Sequence, residues 1–155
     1  MKRRIYWSSE IAGAHILILP YDSPCRRLHG HNWKIEIEIE SQGLVNGMIV
    51  DYNVLSKIVK RLDHKLIVPS FIVVKKIDKW LYIDVNEKHL EVPENEVVQI
   101  PYDNVTVECM AEYIAMQLVG EISKSEWKNA IIGKVVVRVW EDSRSYAEVE
   151  LNNNR

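Results

Sequence analysis

Trp33-Lys34-Ile35-Glu36-Ile37-Glu38-Ile39-Glu40 alternates apolar and charged residues without a break. Side chains two apart on a strand share a face. The stretch therefore predicts a strand of an antiparallel sheet, with isoleucines on a buried face and glutamates on a solvated one. Carried backwards, the same parity puts Trp33, His31 and His29 on the isoleucine side. Two imidazoles at the end of a buried face can converge on one ion. His15, upstream at the end of another apolar run, offers a third. A metal held by three protein nitrogens keeps a fourth position open for water or substrate.

Downstream, Gly43 and Asn46-Gly47 mark a turn, the latter a hairpin signal. Asp51 reads as the N-cap of a helix reaching about Leu62, with Val54, Leu55, Ile58, Val59 and Leu62 as its apolar stripe. Thr106 reads as the N-cap of a second helix, with Val107, Met110, Ala111, Ile114 and Leu118 at helical spacing and Gly120 as its stop. Between the helices, residues 70–103 read as a small β-rich insert. Phe71–Val74 and Trp80–Ile83 flank the polar Lys75–Lys79 as a hairpin, and His89–Val92 and Val97–Ile100 follow, bracketed by Pro93 and Pro101. Two further strands fall near Lys134–Trp140 and Ser145–Leu151, with a frayed tail from Asn152 to Arg155. The order predicts one α+β domain over residues 1–155: a four-stranded antiparallel sheet with both helices on one face, plus the insert.

Composition narrows the functional class. The chain has 155 residues, 47% hydrophobic, with a formal net charge of −2. That length can bury a core. The charge balance gives no electrostatic case for nucleic acid, and no apolar run is long enough for a membrane span. The basic start, Met1-Lys2-Arg3-Arg4, leads into no apolar leader segment. Two cysteines far apart in sequence, Cys25 and Cys109, make no disulfide framework, which points to a reducing cytoplasm.

Several residues carry more than one reading. Cys25 can be a small buried residue, a fourth metal ligand closing a structural site, or a catalytic thiol. Its neighbours Pro24, Arg26 and Arg27 form a locally basic, loop-like setting that favours a thiolate. Cys109 beside Met110 reads as packing. Asp63-His64, directly after the first helix, is either a helix-end feature or an orienting pair that moves protons. Glu141 at a strand end is either solvated or an acceptor of two hydrogen bonds from a guanidine-like ring edge. Glu108 favours a helix N-terminus through its charge.

Taken in order, these residues resemble the 6-pyruvoyltetrahydropterin synthase / 6-carboxytetrahydropterin synthase family over nearly the whole chain. The resemblance rests on Ala12-Gly13-Ala14-His15, Cys25-Arg26-Arg27-Leu28-His29-Gly30-His31-Asn32, Gly47-Met48-Ile49-Val50-Asp51-Tyr52, Leu62-Asp63-His64, Thr106-Val107-Glu108 and Val139-Trp140-Glu141. It implies the tunnelling fold, in which subunits close a β-barrel as trimers and stack as a homohexamer with active sites between subunits. It implies Zn2+ on His15, His29 and His31, and Cys25 as the proton-abstracting thiolate with Asp63 and His64 as its relay. Glu141 would clasp the amino-pyrimidine edge of a pterin, and Thr106 and Glu108 would line the same pocket.

The implied substrate is 7,8-dihydroneopterin triphosphate. The three-residue spacing from Cys25 to His29-Gly30-His31 resembles the branch that releases acetaldehyde and triphosphate to give 6-carboxy-5,6,7,8-tetrahydropterin for deazapurine (queuosine or archaeosine) biosynthesis. A 6-pyruvoyl product and a non-catalytic zinc protein of the same fold are the alternatives. The chain departs from the family pattern at Ile11-Ala12, at Lys65–Val68 after the acid–histidine pair, at Val105-Thr106-Val107-Glu108 and at Asp142, where threonine is usual.

Overall fold

A computed structural model describes residues 1–152. The alternating stretch lies in strand β2 (His29–Ser41), which pairs along its whole length with β1 (Arg3–His15) in antiparallel register, from Arg3↔Ser41 to His15↔His29. On the other side of β2 lie β8 (Ile132–Trp140) and then β9 (Tyr146–Asn152), also antiparallel. Ile35, Ile37 and Ile39 are fully buried against helix α1 (Tyr52–Lys60) and helix α2 (Val107–Lys124), which contribute Leu55, Ile58, Val59, Met110, Ile114 and Leu118 to one core. Both helices therefore cover the isoleucine face, as the alternation requires.

The sheet is wider than the sequence predicts. It has six strands rather than four, because β3 (Lys65–Pro69) and β7 (Val97–Ile100) extend the β1 edge in parallel. Lys65-Leu66-Ile67-Val68 reads in sequence only as a departure from a motif, and parallel neighbours carry no hairpin signal. Its Ile67 and Val68 are buried. Val97–Ile100 thus belongs to the main sheet. The separate sheet is a three-stranded meander of β4 (Val73–Ile77), β5 (Trp80–Val85) and β6 (Lys88–Pro93). Lys75–Lys79 is not a loop: β4 runs through Ile77, and the turn is confined to Asp78-Lys79, where Asp78 has φ 52°. Phe71 lies in a 3-10 turn (Ser70–Ile72) instead of a strand.

The caps fall where the residue types place them. Asp51 and Thr106 side chains accept from the Asn53 and Cys109 backbone N–H groups. Asn46 and Gly47 both have positive φ and join Val45 to Met48 as a tight turn. Helix ends differ from expectation. α1 stops at Lys60, with Leu62 buried in the following turns. α2 passes through Gly120 to Lys124, because Ile122 continues the buried stripe one turn beyond Leu118. Ser125 ends it, its hydroxyl donating to the Ile122 carbonyl and accepting from Trp127 N–H. Residues 153–155 of the expected frayed tail lie outside the described residues, and Asn152 closes β9.

The glutamate face is not freely solvated. Glu36, Glu38 and Glu40 keep 12%, 23% and 16% of their side-chain surface and are all paired. Glu36 meets Lys34, Tyr6 and Trp140 Nε1–H, Glu38 meets Arg138 and Arg4, and Glu40 meets Lys2 and Arg4. Three neighbouring strands project cations onto the same pleat, a cross-strand arrangement that a single strand's pattern cannot display.

Candidate metal centre and adjoining cleft

The β1–β2 register sets His15 opposite His29 and Gly13 opposite His31 at one end of the sheet. Their ligand atoms lie within 4.8 Å of one another. His15 is fully buried and the other two are half-buried. His15 Nδ1 donates to the Val105 carbonyl at 2.7 Å, and His29 Nδ1 donates to the Arg27 carbonyl at 2.6 Å. A carbonyl can only accept, so each bond fixes the proton on Nδ1 and leaves Nε2 with a bare lone pair in the neutral ring. Those two Nε2 atoms face each other at 2.9 Å. Two lone pairs at that distance repel unless a cation lies between them. His31 Nε2 is also buried; Glu141 Oε1 stands 3.1 Å away, but not in hydrogen-bonding geometry. The donor set therefore fits a metal ion: three imidazole nitrogens, two with their tautomer set by second-shell carbonyls.

Electrostatics agree with that fit. Burial pushes His15 down to about 4, partly opposed by the Val105 hydrogen bond and reinforced by the facing His29 and His31. His15 is thus neutral near pH 7, the form that ligates a metal. Trp33 packs its ring edge-on to His15, with centroids 5.1 Å apart, and walls the cluster from the core. This fit requires Gly13. A Cβ there would stand 2.6 Å from the Trp33 ring and 3.2 Å from the Lys65 carbonyl.

A cleft of about 310 Å³ adjoins the cluster and is lined by His15, Thr106, Glu108, Glu141, Ser145 and Tyr146 among others. The structure thus brings Thr106, Glu108 and Glu141 together beside a histidine of the cluster. Thr106 caps α2, Glu108 lies in its first turn, and Val105, just before the cap, supplies the carbonyl to His15. Glu141 arrives at the end of β8, with Oε1 3.1 Å from His31 Nε2. The β8–β9 connection is shaped by Asp142, whose Oδ1 accepts from Arg144 N–H and from the Ser145 N–H and hydroxyl. Asp142 in place of threonine therefore organises the hairpin that presents Glu141. Sequence reasoning missed Ser145 and Tyr146, which follow this turn and bear no motif, and Val105, which acts through its backbone.

Cys25 sits on a 3-10 turn (Pro24–Arg26), held by Leu17 N–H donating to its carbonyl at 2.9 Å. Its sulfur is not among the atoms clustered within 4.8 Å, so the four-ligand closed site is not assembled. Asp63 and His64 touch each other at 2.9 Å but, like Cys25, do not line the cleft. They are fastened to β1: Ala12 N–H donates to Asp63 Oδ1, and His64 N–H donates to the Ala12 carbonyl. Desolvation would raise the Asp63 carboxyl, but the Ala12 and His64 hydrogen bonds outweigh it and hold it below the usual carboxylate range. His64 itself is largely exposed, with φ 57°.

Two consequences are measurable. Gly13→Ala displaces Trp33 and should weaken any metal affinity of the cluster about 10-fold or more, the scale of losses when groups that orient ligands are disturbed; competition with a chromophoric chelator reads it, and unchanged affinity would contradict the packing argument. The unfolded chain binds more protons at His15 than the folded one between its ordinary value of 6.5 and about 4. Metal-free protein should therefore lose stability as pH falls through that window, and His15→Gln should flatten the slope in urea unfolding measured at several pH values.

The family model described as 6-pyruvoyl tetrahydropterin synthase matches residues 4–152. A protein of Pyrococcus abyssi is 44% identical over 151 residues, 97% of this chain and 92% of its own length. One of Pyrococcus horikoshii is 46% identical over 149 residues, covering 96% and 90%. Both are provisionally named 6-carboxy-5,6,7,8-tetrahydropterin synthase. Among solved structures, the 6-pyruvoyl tetrahydropterin synthase of Plasmodium vivax superposes with a TM-score of 0.79 at 24% identity, covering 99% of each chain. Sequence match over nearly the full chain and the shared fold lead to one conclusion: the chain belongs to the 6-pyruvoyl tetrahydropterin synthase family.

Proposed function

We propose that the protein is a zinc-dependent 6-carboxy-5,6,7,8-tetrahydropterin synthase. It converts 7,8-dihydroneopterin triphosphate and one water to the 6-carboxy product with loss of acetaldehyde and triphosphate, in the service of deazapurine biosynthesis in the cytoplasm. The observation that carries this reading is the convergence of two tautomer-locked imidazoles and the orphaned His31 nitrogen beside a cleft holding Glu141. Relatives at 44–46% identity bearing the 6-carboxy name support the choice of product.

His15, His29 and His31 would hold the zinc, which when bound would supply Lewis-acid chemistry. The chain's own residues do the rest. Cys25, as thiolate, takes a proton from a hydroxyl-bearing side-chain carbon. Asp63 holds His64 through their 2.9 Å contact, and His64 returns protons. Glu141 accepts two hydrogen bonds from the amino-pyrimidine edge and so fixes the ring relative to the histidines. Thr106 and Glu108 close the wall of that cleft. The free cysteines, Cys25 and Cys109, suit a reducing compartment.

The active assembly in this proposal is a hexamer of two barrel-forming trimers, with Asp63 and His64 of one subunit serving Cys25 of its neighbour. One feature supports it: β9 forms one edge of the main sheet, available for strand pairing between copies.

Mass analysis of products from zinc-loaded protein and dihydroneopterin triphosphate tests the reading. Acetaldehyde and a 6-carboxy product are expected, and a 6-pyruvoyl product would move the protein to the other branch. Cys25→Ala should keep zinc and lose turnover; wild-type activity in that variant would remove the thiol from the mechanism. Mixing unfolded Cys25→Ala and His64→Ala chains and refolding them together should restore about a quarter of the wild-type sites if the residues act across subunits. No recovery would place both in one subunit.

A further inference from the structure

We propose that Asn86, at the tip of the β5–β6 hairpin, is a positioning residue that braces the turn carrying Cys25. The three-stranded meander is then a support of the active site rather than a surface extension. The inference rests on the reading of Cys25 as the catalytic thiol.

Asn86 and Glu87 form a two-residue turn between the paired residues Val85 and Lys88, with φ of 49° and 62°. Asparagine tolerates the left-handed region, so the turn alone explains its backbone. It does not explain the side chain. Asn86 Nδ2 donates one hydrogen to the Leu17 carbonyl and the other to the Arg26 carbonyl, each at 3.0 Å. These acceptors lie on the two arms of the segment between His15 and His29. Leu17 is the residue whose N–H holds the Cys25 carbonyl at 2.9 Å, and Arg26 directly follows Cys25. One planar amide thus fixes the spacing between the strand end leaving the metal cluster and the turn bearing the thiol.

The meander is anchored well enough to act as a brace. Its own core joins Ile83 and Val85 to Val68, Ile72 and Ile16, and Ile16 directly follows the cluster residue His15. The far side of the segment is clamped separately. Asn104 accepts from Ile18 N–H at 3.0 Å and donates to its carbonyl at 2.9 Å. The three histidines depend on it less, since β1–β2 pairing places all three and the Val105 carbonyl holds His15; only the Arg27 carbonyl behind His29 comes from the same loop. Cys25 has no such ladder: among the described residues, only Leu17 N–H and Ser23 Oγ hold its backbone. Removing the Asn86 amide leaves two half-buried carbonyls without that donor and lets the thiol turn drift, a displacement to which proton abstraction is steeply sensitive.

Asn86→Gly keeps the left-handed turn and deletes the amide, and Asn86→Asp keeps size and turn but offers an acceptor to two acceptors. At saturating zinc both should retain the wild-type zinc content and a KM within about twofold, while kcat falls about tenfold. Asn86→Ser, able to donate to one carbonyl, should recover part of kcat. Iodoacetamide labelling read peptide by peptide should change at Cys25 and not at Cys109. Turnover within twofold of wild type in both variants, with Cys25→Ala inactive, would overturn the brace and leave the thiol in place. An active Cys25→Ala would instead overturn the reading beneath it. Zinc lost in parallel with activity, or failure of both variants to fold, would assign Asn86 to the metal cluster or to stability and also overturn the proposal.

Discussion

Everything at the candidate site depends on the antiparallel pairing of β1 with β2. His15 meets His29 because that pair ends a thirteen-residue register that begins at Arg3↔Ser41. A slip of one residue would turn His29, His31 and Trp33 onto the glutamate face. What forbids the slip is far from the histidines: Ile35, Ile37 and Ile39 are fully buried against two helices on one side. The histidine cluster is thus an end effect of core packing, its tautomers set by two carbonyls from outside the pair. Val105 comes from the residue before the α2 cap, and Arg27 from the thiol loop.

The same arrangement concentrates unfavourable electrostatics in one place. Facing bare nitrogens, a buried unpaired His31 Nε2 and a fully buried His15 are each destabilising in an apolar setting. A single cation among the three nitrogens would relieve all three at once. The neighbouring cleft is half-finished in a similar sense. Glu141 reaches the cluster but is not bound within it, so its carboxylate remains able to accept from a ligand. The 3.1 Å contact of His31 and Glu141 thus joins the histidine cluster to the wall of the cleft.

Local chemistry was legible in the sequence, and non-local pairing was not. The β2 alternation, the Asp51 and Thr106 caps, the Asn46-Gly47 turn and the three histidines each depend on residues close in the chain, or on a parity that propagates along one strand. The widened sheet depends on β1–β3 and β3–β7 pairs, which are parallel and joined through distant segments. Leu66–Val68 alone is too short and apolar a run to announce such a strand. Gly120 misled for the opposite reason: the residue type favours a stop, but Ile122 beyond it is buried and burial decides. Asn86 was invisible because its turn signal hides a side-chain role that needs two carbonyls from elsewhere.

The polar face of the sheet carries the last constraint. Burial pushes Glu36 upwards, but hydrogen bonds from Lys34, Trp140 and Tyr6 prevail and hold it at about 2. Arg138 is raised by Glu38 and Glu148 despite desolvation. These groups therefore stay ionised across the physiological range, and β1, β2, β8 and β9 are cross-linked by charges that a slipped register would leave unpaired. A face of this kind is poorly suited to a dry interface and well suited to a wet enclosed surface, where paired charges keep their partners and residual hydration. That is the environment a closed barrel of proposed neighbouring subunits provides. The isoleucine face and the glutamate face thus specify one register from opposite sides, and the imidazoles inherit their positions from both.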